Sequence, residues 1–294
     1  MKILLTGATG FIGKSLCLRL LKNNVTFNCI VRKNTDVAFF NAHNISYYVY
    51  DGDICKLIVH FNEEKYKGIV HLASLFIAEH DKEQIDDLIG SNIVFGTKLL
   101  EACIASNVKW FLNTGTFWQH YQNEEYNPVN LYAATKESFE KIAKFYTEIS
   151  DLIFLTLKLS DTFGPNDIRK KIFNLWNRIE SENTSLAMSP GQQVIDISYI
   201  EDVINAYFLL IKDLNSRKAK DFKNKVFAIK STERMTLKEL SQVYEKATNT
   251  KLNINWGVKD YRNREVMIPW MNGEKVPGWS QEFSLEDAIK KTIK

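Results

Sequence analysis

Three glycines constrain this chain more than any other feature. The opening stretch Ile3-Leu4-Leu5-Thr6-Gly7-Ala8-Thr9-Gly10-Phe11-Ile12-Gly13 spaces them three apart, directly after an apolar run and at the start of an amphipathic one. Strand, tight turn and helix in that order leave the first turn of the helix open. Glycines there let the backbone approach a pyrophosphate, whose charge then sits on the helix N-terminus. A turn that merely packs close to its neighbour has a similar composition, but here spacing and context agree. Gly7, Gly10 and Gly13, with Thr9, Phe11 and Ile12 between them, are candidate dinucleotide ligands.

Short apolar runs alternate with longer amphipathic stretches through the first half. Residues 3–6, 27–32, 47–51, 69–71, 110–114 and 153–158 are predicted strands, and residues 11–22, 83–106 and 131–149 predicted helices. That alternation implies an α/β fold, a doubly wound parallel sheet of Rossmann type with helices on both faces. Beyond residue 160 the pattern is less regular, with predicted helices at 201–211, 237–247 and from Leu285, a strand at 226–229, and loops around Pro269 and Pro277. There is no repeat or flexible linker. Residues 1–165 are read as the dinucleotide domain, with segments around 195–230 returning to it, and residues 166–294 mainly as a smaller α/β substrate lobe.

The 38 basic and 35 acidic residues leave a net charge of +3, too near balance to suggest nucleic acid or an anionic membrane as partner. No apolar run approaches the roughly 18 residues of a membrane span. The N-terminus has no signal-peptide pattern, and Cys17, Cys29, Cys55 and Cys103 have neither metal-ligand nor disulfide spacing. They read as reduced core residues, with no metal expected, in a cytoplasmic protein.

The spacing Thr-Gly-x-x-Gly-x-x-Gly resembles the extended short-chain dehydrogenase/reductases, the NAD-dependent epimerase/dehydratase family. Further matches recur in that family's order, densely over residues 1–165. Asp53-Ile54 resembles its adenine contact, Leu72-Ala73-Ser74 after His71 its turn past the fourth strand, and Asn92 its structural and catalytic Asn. The resemblance also places Asn92, Thr114 and Leu159 beside the cofactor.

An acid at the tip of the second strand would grip the ribose 2′-hydroxyl of NAD, whereas Arg accommodates the NADP phosphate. The strand ends Val31-Arg32-Lys33-Asn34, so Arg32 and Lys33 point to NADPH (NADP+) as cofactor, although Asp36 can reach back and a solvated basic loop has the same residues.

Tyr132 and Lys136 are four apart, hence on one face of a predicted helix, where a cation favours the phenolate. One such pair is expected by chance in so Lys-rich a chain. Its placement after a strand ending Thr114-Gly115-Thr116 matches the family's interval. In the family, residues matching Thr116 bind the substrate oxygen, those matching Tyr132 act as general acid or base, and those matching Lys136 also hold the nicotinamide ribose. Sugar dehydratases follow the Thr with Asp-Glu; here Phe117-Trp118 follow, which speaks against dehydration. An exchangeable NADPH suits net ketone reduction better than epimerisation.

Segments 111–114, 196–205, 262–267 and 278–279 most resemble nucleotide-sugar 4-ketoreductases of the CDP-abequose and CDP-paratose synthase type. The resemblance implies reduction of the 4-keto group of a CDP- or dTDP-linked 6-deoxy- or 3,6-dideoxyhexose for lipopolysaccharide O-antigen, by a homodimer. Arg262 and Arg264 are the candidate diphosphate ligands, with Arg169, Lys170 and Lys171 as further cations. Ile195 stands where the family has an Arg. Phe117, Trp118 and Tyr121 are candidate contacts for the deoxy sugar's apolar face. The alternatives are a 4-epimerase with tightly bound NAD and a noncatalytic NADP-binding regulator.

Overall fold

A computed structural model describes residues 2–293. In the first half, strands β1 (Lys2–Thr6), β2 (Thr26–Arg32), β3 (Tyr47–Tyr50), β4 (Gly68–His71), β5 (Trp110–Thr116) and β6 (Ile153–Leu159) alternate with helices. These are α1 (Phe11–Lys22), α2 (Ala38–Ala42), α3 (Ile54–Glu64), α4 (Ile85–Ile89), α5 (Phe95–Ala105) and α6 (Leu131–Glu148). The second half contributes β7 (Asp161–Phe163), α7 (Ile172–Ser181), β8 (Leu186–Met188), β9 (Val194–Ile195), β10 (Ile197–Tyr199), α8 (Ile200–Leu214), β11 (Val226–Ala228), β12 (Met235–Thr236), α9 (Leu237–Thr248), β13 (Ile254–Trp256) and α10 (Leu285–Ile293).

Seven strands form one parallel sheet in the order β11-β6-β5-β4-β1-β2-β3. This is the doubly wound Rossmann arrangement implied by the strand–helix alternation. Period-2 alternation sends side chains of one strand to opposite faces. Ile3 and Leu5 of β1 pack with Leu16 and Leu20 of α1 and Val203 and Tyr207 of α8, while Leu4 joins Phe61, Leu99 and Phe139 from α3, α5 and α6. The first of these cores continues without a break through Trp176, Leu240, Tyr244 and Ile289, so the later elements share it. Three two-stranded ladders, β7 with β10, β9 with β12 and β8 with β13, carry the loops of the second half.

The sequence expectations need four corrections. The single helix expected over residues 83–106 is interrupted: a 3-10 turn (Lys82–Gln84) leads into α4, and a π-turn (Gly90–Val94) separates α4 from α5. The wider turn carries Asn92 inward, as described below. By length and composition the helical stretch Lys82–Ala105 is apolar enough to cross a membrane, although no single apolar run suggested it. Here it packs Leu88, Leu99, Leu100 and Cys103 into the protein interior. Helices α2, α3 and α7 were not among the predicted helices, although α3 and α7 carry an apolar stripe that buries Leu57 and Phe61, and Phe173, Trp176 and Ile179. Finally, Cys55 lies exposed on α3, unlike the buried Cys17, Cys29 and Cys103, and all four thiols are free.

Candidate active site

The glycine turn is built by close backbone approach. Gly7 has φ +69°, in the region that L side chains avoid, and a Cβ there would lie 2.5 Å from the Ala73 nitrogen. A Cβ on Gly13 would lie 2.2 Å from the Gly7 carbonyl oxygen. Gly10 opens α1 without any side-chain cap, and the first turn carries no acid. Helix geometry leaves the leading N–H groups unpartnered, and they favour an anion. Thr9 and Gly10 are exposed, and Phe11 and Ile12 half-buried. A cradle that any Cβ would fill, next to an uncapped helix start, fits a dinucleotide pyrophosphate.

At the tip of β2, Arg32 and Lys33 are exposed, and neither makes an ion pair among the described residues. Asp36 does not reach back to them; its carboxylate accepts from the Ala38 N–H at 2.9 Å and starts α2. Asp53 caps α3, accepting from the Cys55 and Lys56 N–H groups at 2.8 and 3.3 Å, and Ile54 is half-buried beside it. The cap leaves the other Asp53 oxygen free, so Asp53 can serve both helix and ligand.

The turn after β4 is locked from beneath. The Thr6 hydroxyl accepts from the Ala73 N–H at 3.0 Å and lies 2.8 Å from His71 Nδ1. Burial holds the His71 imidazole neutral, its pKa well below the usual range, with the Lys136 charge pushing the same way. Leu72 and Ala73 are half-buried and Ser74 is exposed. Asn92, expected beside the cofactor, is 1% exposed and spends its amide inside the protein. Its Oδ1 accepts from the Leu75 N–H at 2.7 Å and the Ser74 hydroxyl at 3.2 Å, and its Nδ2 donates to the Leu75 carbonyl and Thr135 Oγ1. It therefore ties the β4 turn to α6 rather than offering a free group to a ligand.

Asn130 starts α6 by accepting from the Ala133 N–H and anchors it by donating to the Ala78 carbonyl. Tyr132 thus stands in the first turn of α6, next to the loop after β4. Its neighbours include Ser74, Asp161 and, at 5.0 Å between ring centres, Phe76. The sequence expectation of a stabilised phenolate does not hold for the protein alone. Desolvation pushes the Tyr132 phenol up to about 12, Asp161 adds to this, and only the Ser74 hydroxyl opposes it. Lys136, 2% exposed, is depressed to about 8 by the same burial, with Glu140 in opposition. Among the described residues its ammonium has no hydrogen-bond or ion-pair partner.

Thr116 ends β5, with its hydroxyl oxygen accepting from the Trp118 N–H at 3.3 Å and its proton free to donate. The Thr114 hydroxyl is already taken by Tyr207 at 2.7 Å, and Leu159 is buried in the core at the end of β6.

Beside these groups lies a cleft of about 450 Å³ lined by Trp118, Asn130, Asp161, Asp196, Arg262 and Arg264, among others. Arg262 is exposed and 3.5 Å from Glu79. Arg264 stacks on Tyr121 at 4.2 Å, donates to Asn127 and keeps its Nε buried without a partner. Tyr121 therefore supports an arginine instead of facing the cleft. Phe117 touches the cleft but is 4% exposed, its ring packed on Trp270, whereas Trp118 is half-buried. Arg169 does not line the cleft: it is bound to Asp167 at 2.7 Å and to Thr162, and lies 4.5 Å over the Phe11 ring. Lys171 pairs with Asp161 at 2.5 Å and lies over Phe76, while Lys170 is exposed. Among the described residues, no three His, Cys, Asp or Glu side chains gather as a metal site.

Several contributors carry no local sequence signal. Arg234 reaches 38 residues back to Asp196, at 2.5 Å, and donates to the Trp270 carbonyl, tying the cleft's far wall together. Burial pushes Asp196 up to about 6 despite that arginine. Tyr207 and Phe76 were likewise invisible because their partners are distant in sequence, whereas Gln119 carries a local signal in the capping-box spacing Thr116-x-x-Gln119.

Residues 3–224 match the NAD dependent epimerase/dehydratase family, and the chain belongs to it. It is 29% identical to the CDP-abequose synthase of Salmonella muenchen, over 99% of this chain and 97% of that protein. To the CDP-abequose synthase of Salmonella typhimurium it is 24% identical, covering 99% and 97%. Among solved structures, the UDP-glucose 4-epimerase of Thermotoga maritima with UDP-glucose superposes with a TM-score of 0.84 at 22% identity, covering 100% and 97%. That likeness establishes the fold.

Proposed function

We propose that this member of the family reduces the 4-keto group of a CDP- or dTDP-linked 6-deoxy- or 3,6-dideoxyhexose, using NADPH, in the assembly of a surface polysaccharide such as O-antigen. The observation that carries this reading is a cleft of about 450 Å³ lined by Trp118, Arg262 and Arg264, whose wall at Asn130 and Leu131 runs directly into Tyr132 on α6. A phenol held up at about 12 at the edge of a sugar-sized cleft is a proton donor at neutral pH, which reduction requires first. The full-length similarity to CDP-abequose synthases supports the sugar class.

The glycine turn holds the pyrophosphate, and Arg32 and Lys33 hold a 2′-phosphate, the first as a fork and the second as a point charge. A reduced nicotinamide supplies a hydride to the carbonyl carbon when bound. Thr116 donates a hydrogen bond to the carbonyl oxygen. Tyr132 then delivers its proton to that oxygen, and solvent restores the phenol. Lys136 places a positive charge near the forming phenolate and a donor near the nicotinamide ribose. Arg262, with the free Nε of Arg264, faces the diphosphate. Incubation with CDP- and dTDP-4-keto sugars and NADPH, followed by absorbance, tests the reading. Stoichiometric NADPH oxidation is expected; no oxidation with any such ketone refutes it.

A 4-epimerase with retained NAD is the second reading, favoured by one observation. The segment holding Arg169 and Lys171 fastens to Phe11 of the glycine turn and to Phe76 after β4, which suits a cofactor that stays. Such an enzyme purifies with NAD bound and consumes no NADPH.

A further inference from the structure

A buried charged cluster adjoins the catalytic candidates. Lys158 is the one charge in β6, a strand buried along its whole length, and is itself 3% exposed. Its Nζ lies 3.7 Å from Glu137 Oε2 and 3.6 Å from Glu140 Oε2, and donates to His120 Nε2 at 2.7 Å. The His120 Nδ1–H donates to the Glu124 carbonyl, and its ring stacks on Trp270 at 4.0 Å. Gln119, 0% exposed, closes the cluster. Its Nε2 donates to Glu137 at 2.6 Å and Glu140 at 3.0 Å, and its Oε1 accepts the Thr116 N–H at 2.8 Å. Only this orientation of the amide serves two carboxylates and a backbone donor at once.

Charges balance closely in this cluster. Two carboxylates share one amide, and Lys158 stands between them, with Lys141 on Glu137 from the exposed side at 3.1 Å. Burial pushes the Glu140 carboxyl above its usual range. Burial acts on Glu137 too, but Lys158, Gln119 and Lys141 together hold that carboxyl below its usual range. Glu140 is also the acid that supports the Lys136 ammonium against burial. Apolar residues in these places would cost less, because buried ion pairs seldom outweigh their desolvation. The cluster touches Thr116 through a backbone hydrogen bond and Lys136 through charge, so its effect falls on the reacting groups.

Resting on the reductase reading above, we propose that Gln119 is a positioning residue of this active site, holding the Thr116 backbone while its amide donors gather Glu137 and Glu140 around Lys158. The 3-10 turn Phe117–Gln119 makes this possible, since it folds Gln119 back onto the residue that starts the turn.

Gln119→Leu removes the acceptor and both donors. The expected result is a kcat lower by roughly 10- to 100-fold, the loss brought by a displacement of about 1 Å of a positioned group, with the KM for NADPH unchanged. Gln119→Glu is isosteric. Protonated, it keeps the acceptor for Thr116 and one donor; ionised, it adds a third carboxylate beside Glu137 and Glu140. Its kcat is expected to climb towards wild type as the pH falls below neutral, a range in which wild type has no such limb. The groups facing it are Glu137, Glu140, Lys141, Lys158, His120 and, along α6, Lys136. A folded Gln119→Leu protein with wild-type kcat overturns the proposal. If that variant does not fold, a Gln119→Glu protein that follows the wild-type pH profile overturns it instead. Should wild type reduce no 4-keto sugar, the reductase reading fails by itself, and the same variants are compared in NAD-dependent 4-epimerisation, which draws on the same Thr116 and Tyr132. Absence of both reactions overturns the two together.

Discussion

Asn92→Ala removes an amide that is 1% exposed and makes four hydrogen bonds. Two of the partners recover easily: Ser74 is exposed to water, and the Thr135 hydroxyl still donates to the Tyr132 carbonyl at 2.7 Å. The other two are the N–H and carbonyl of Leu75, in a half-buried loop. An orphaned buried polar group costs about 1–3 kcal/mol, reduced where water follows into the space, so the sum is about 3 kcal/mol. For a chain of this size that lowers Tm by roughly 6–12 °C. Asn92→Leu fills the space and excludes the water, so it is expected to cost more than Ala. Asn92→Asp keeps both acceptor contacts but turns a carboxylate oxygen towards the Leu75 carbonyl. It is expected to be the worst of the three at neutral pH and to recover in acid. The assay is thermal and urea unfolding of the three variants beside wild type, with turnover measured on the survivors. Since Asn92 fixes the loop facing Tyr132, kcat should fall while cofactor KM changes little. An Asn92→Ala protein within 2 °C of wild type in Tm, with full kcat, refutes the reasoning.

Tyr132→Phe removes the proton donor and leaves the fold intact. NADPH binding by fluorescence should persist while kcat falls about 10²- to 10⁴-fold; retained turnover refutes Tyr132 as the proton donor, and an undiminished effect in the cell despite lost turnover points to a binding-only function. Arg32→Ala should raise the KM for NADPH and leave that for NADH nearly unchanged, and an unchanged NADPH KM removes the case for NADP(H). Lys136 is depressed from 10.5 to about 8 by burial, so across that window the folded chain binds fewer protons than the unfolded one. Unfolding free energy is therefore expected to rise from pH 8 to 10.5 as the buried charge disappears, while kcat/KM, which reports the free enzyme, falls above about pH 8. Lys136→Arg should abolish that basic limb. Arg169→Ala should leave the KM for the sugar nucleotide unchanged, because the guanidinium is held by Asp167 and Phe11 away from the cleft.

The residues that proved legible in the sequence are those whose role is local. Gly7, Gly10 and Gly13 announce a phosphate turn because strand, turn and helix are contiguous, and the backbone contacts they permit lie mostly within the turn itself. Tyr132 and Lys136 share a helix face by spacing alone. The buried strands of the sheet declare themselves as continuous apolar runs, since helices cover both faces. Thr116, by contrast, was placed by its distance from Tyr132, and the Phe11 ring under the Arg169 guanidinium carries no local signal.

Tertiary structure alone decided which polar groups are spent and which are left free. Asn92 is consumed by a loop seventeen residues away, and Arg264 rests on Tyr121. It also decided the protonation balance: burial, which no spacing encodes, outweighs the Ser74 hydroxyl and pushes the Tyr132 phenol up to about 12. The sequence determined that a dinucleotide-type turn opens the chain and that a Tyr–Lys pair follows on one helix. The packing of distant segments decided how those groups are charged and what holds them in place, because desolvation and long-range hydrogen bonds exist only once the chain has closed on itself.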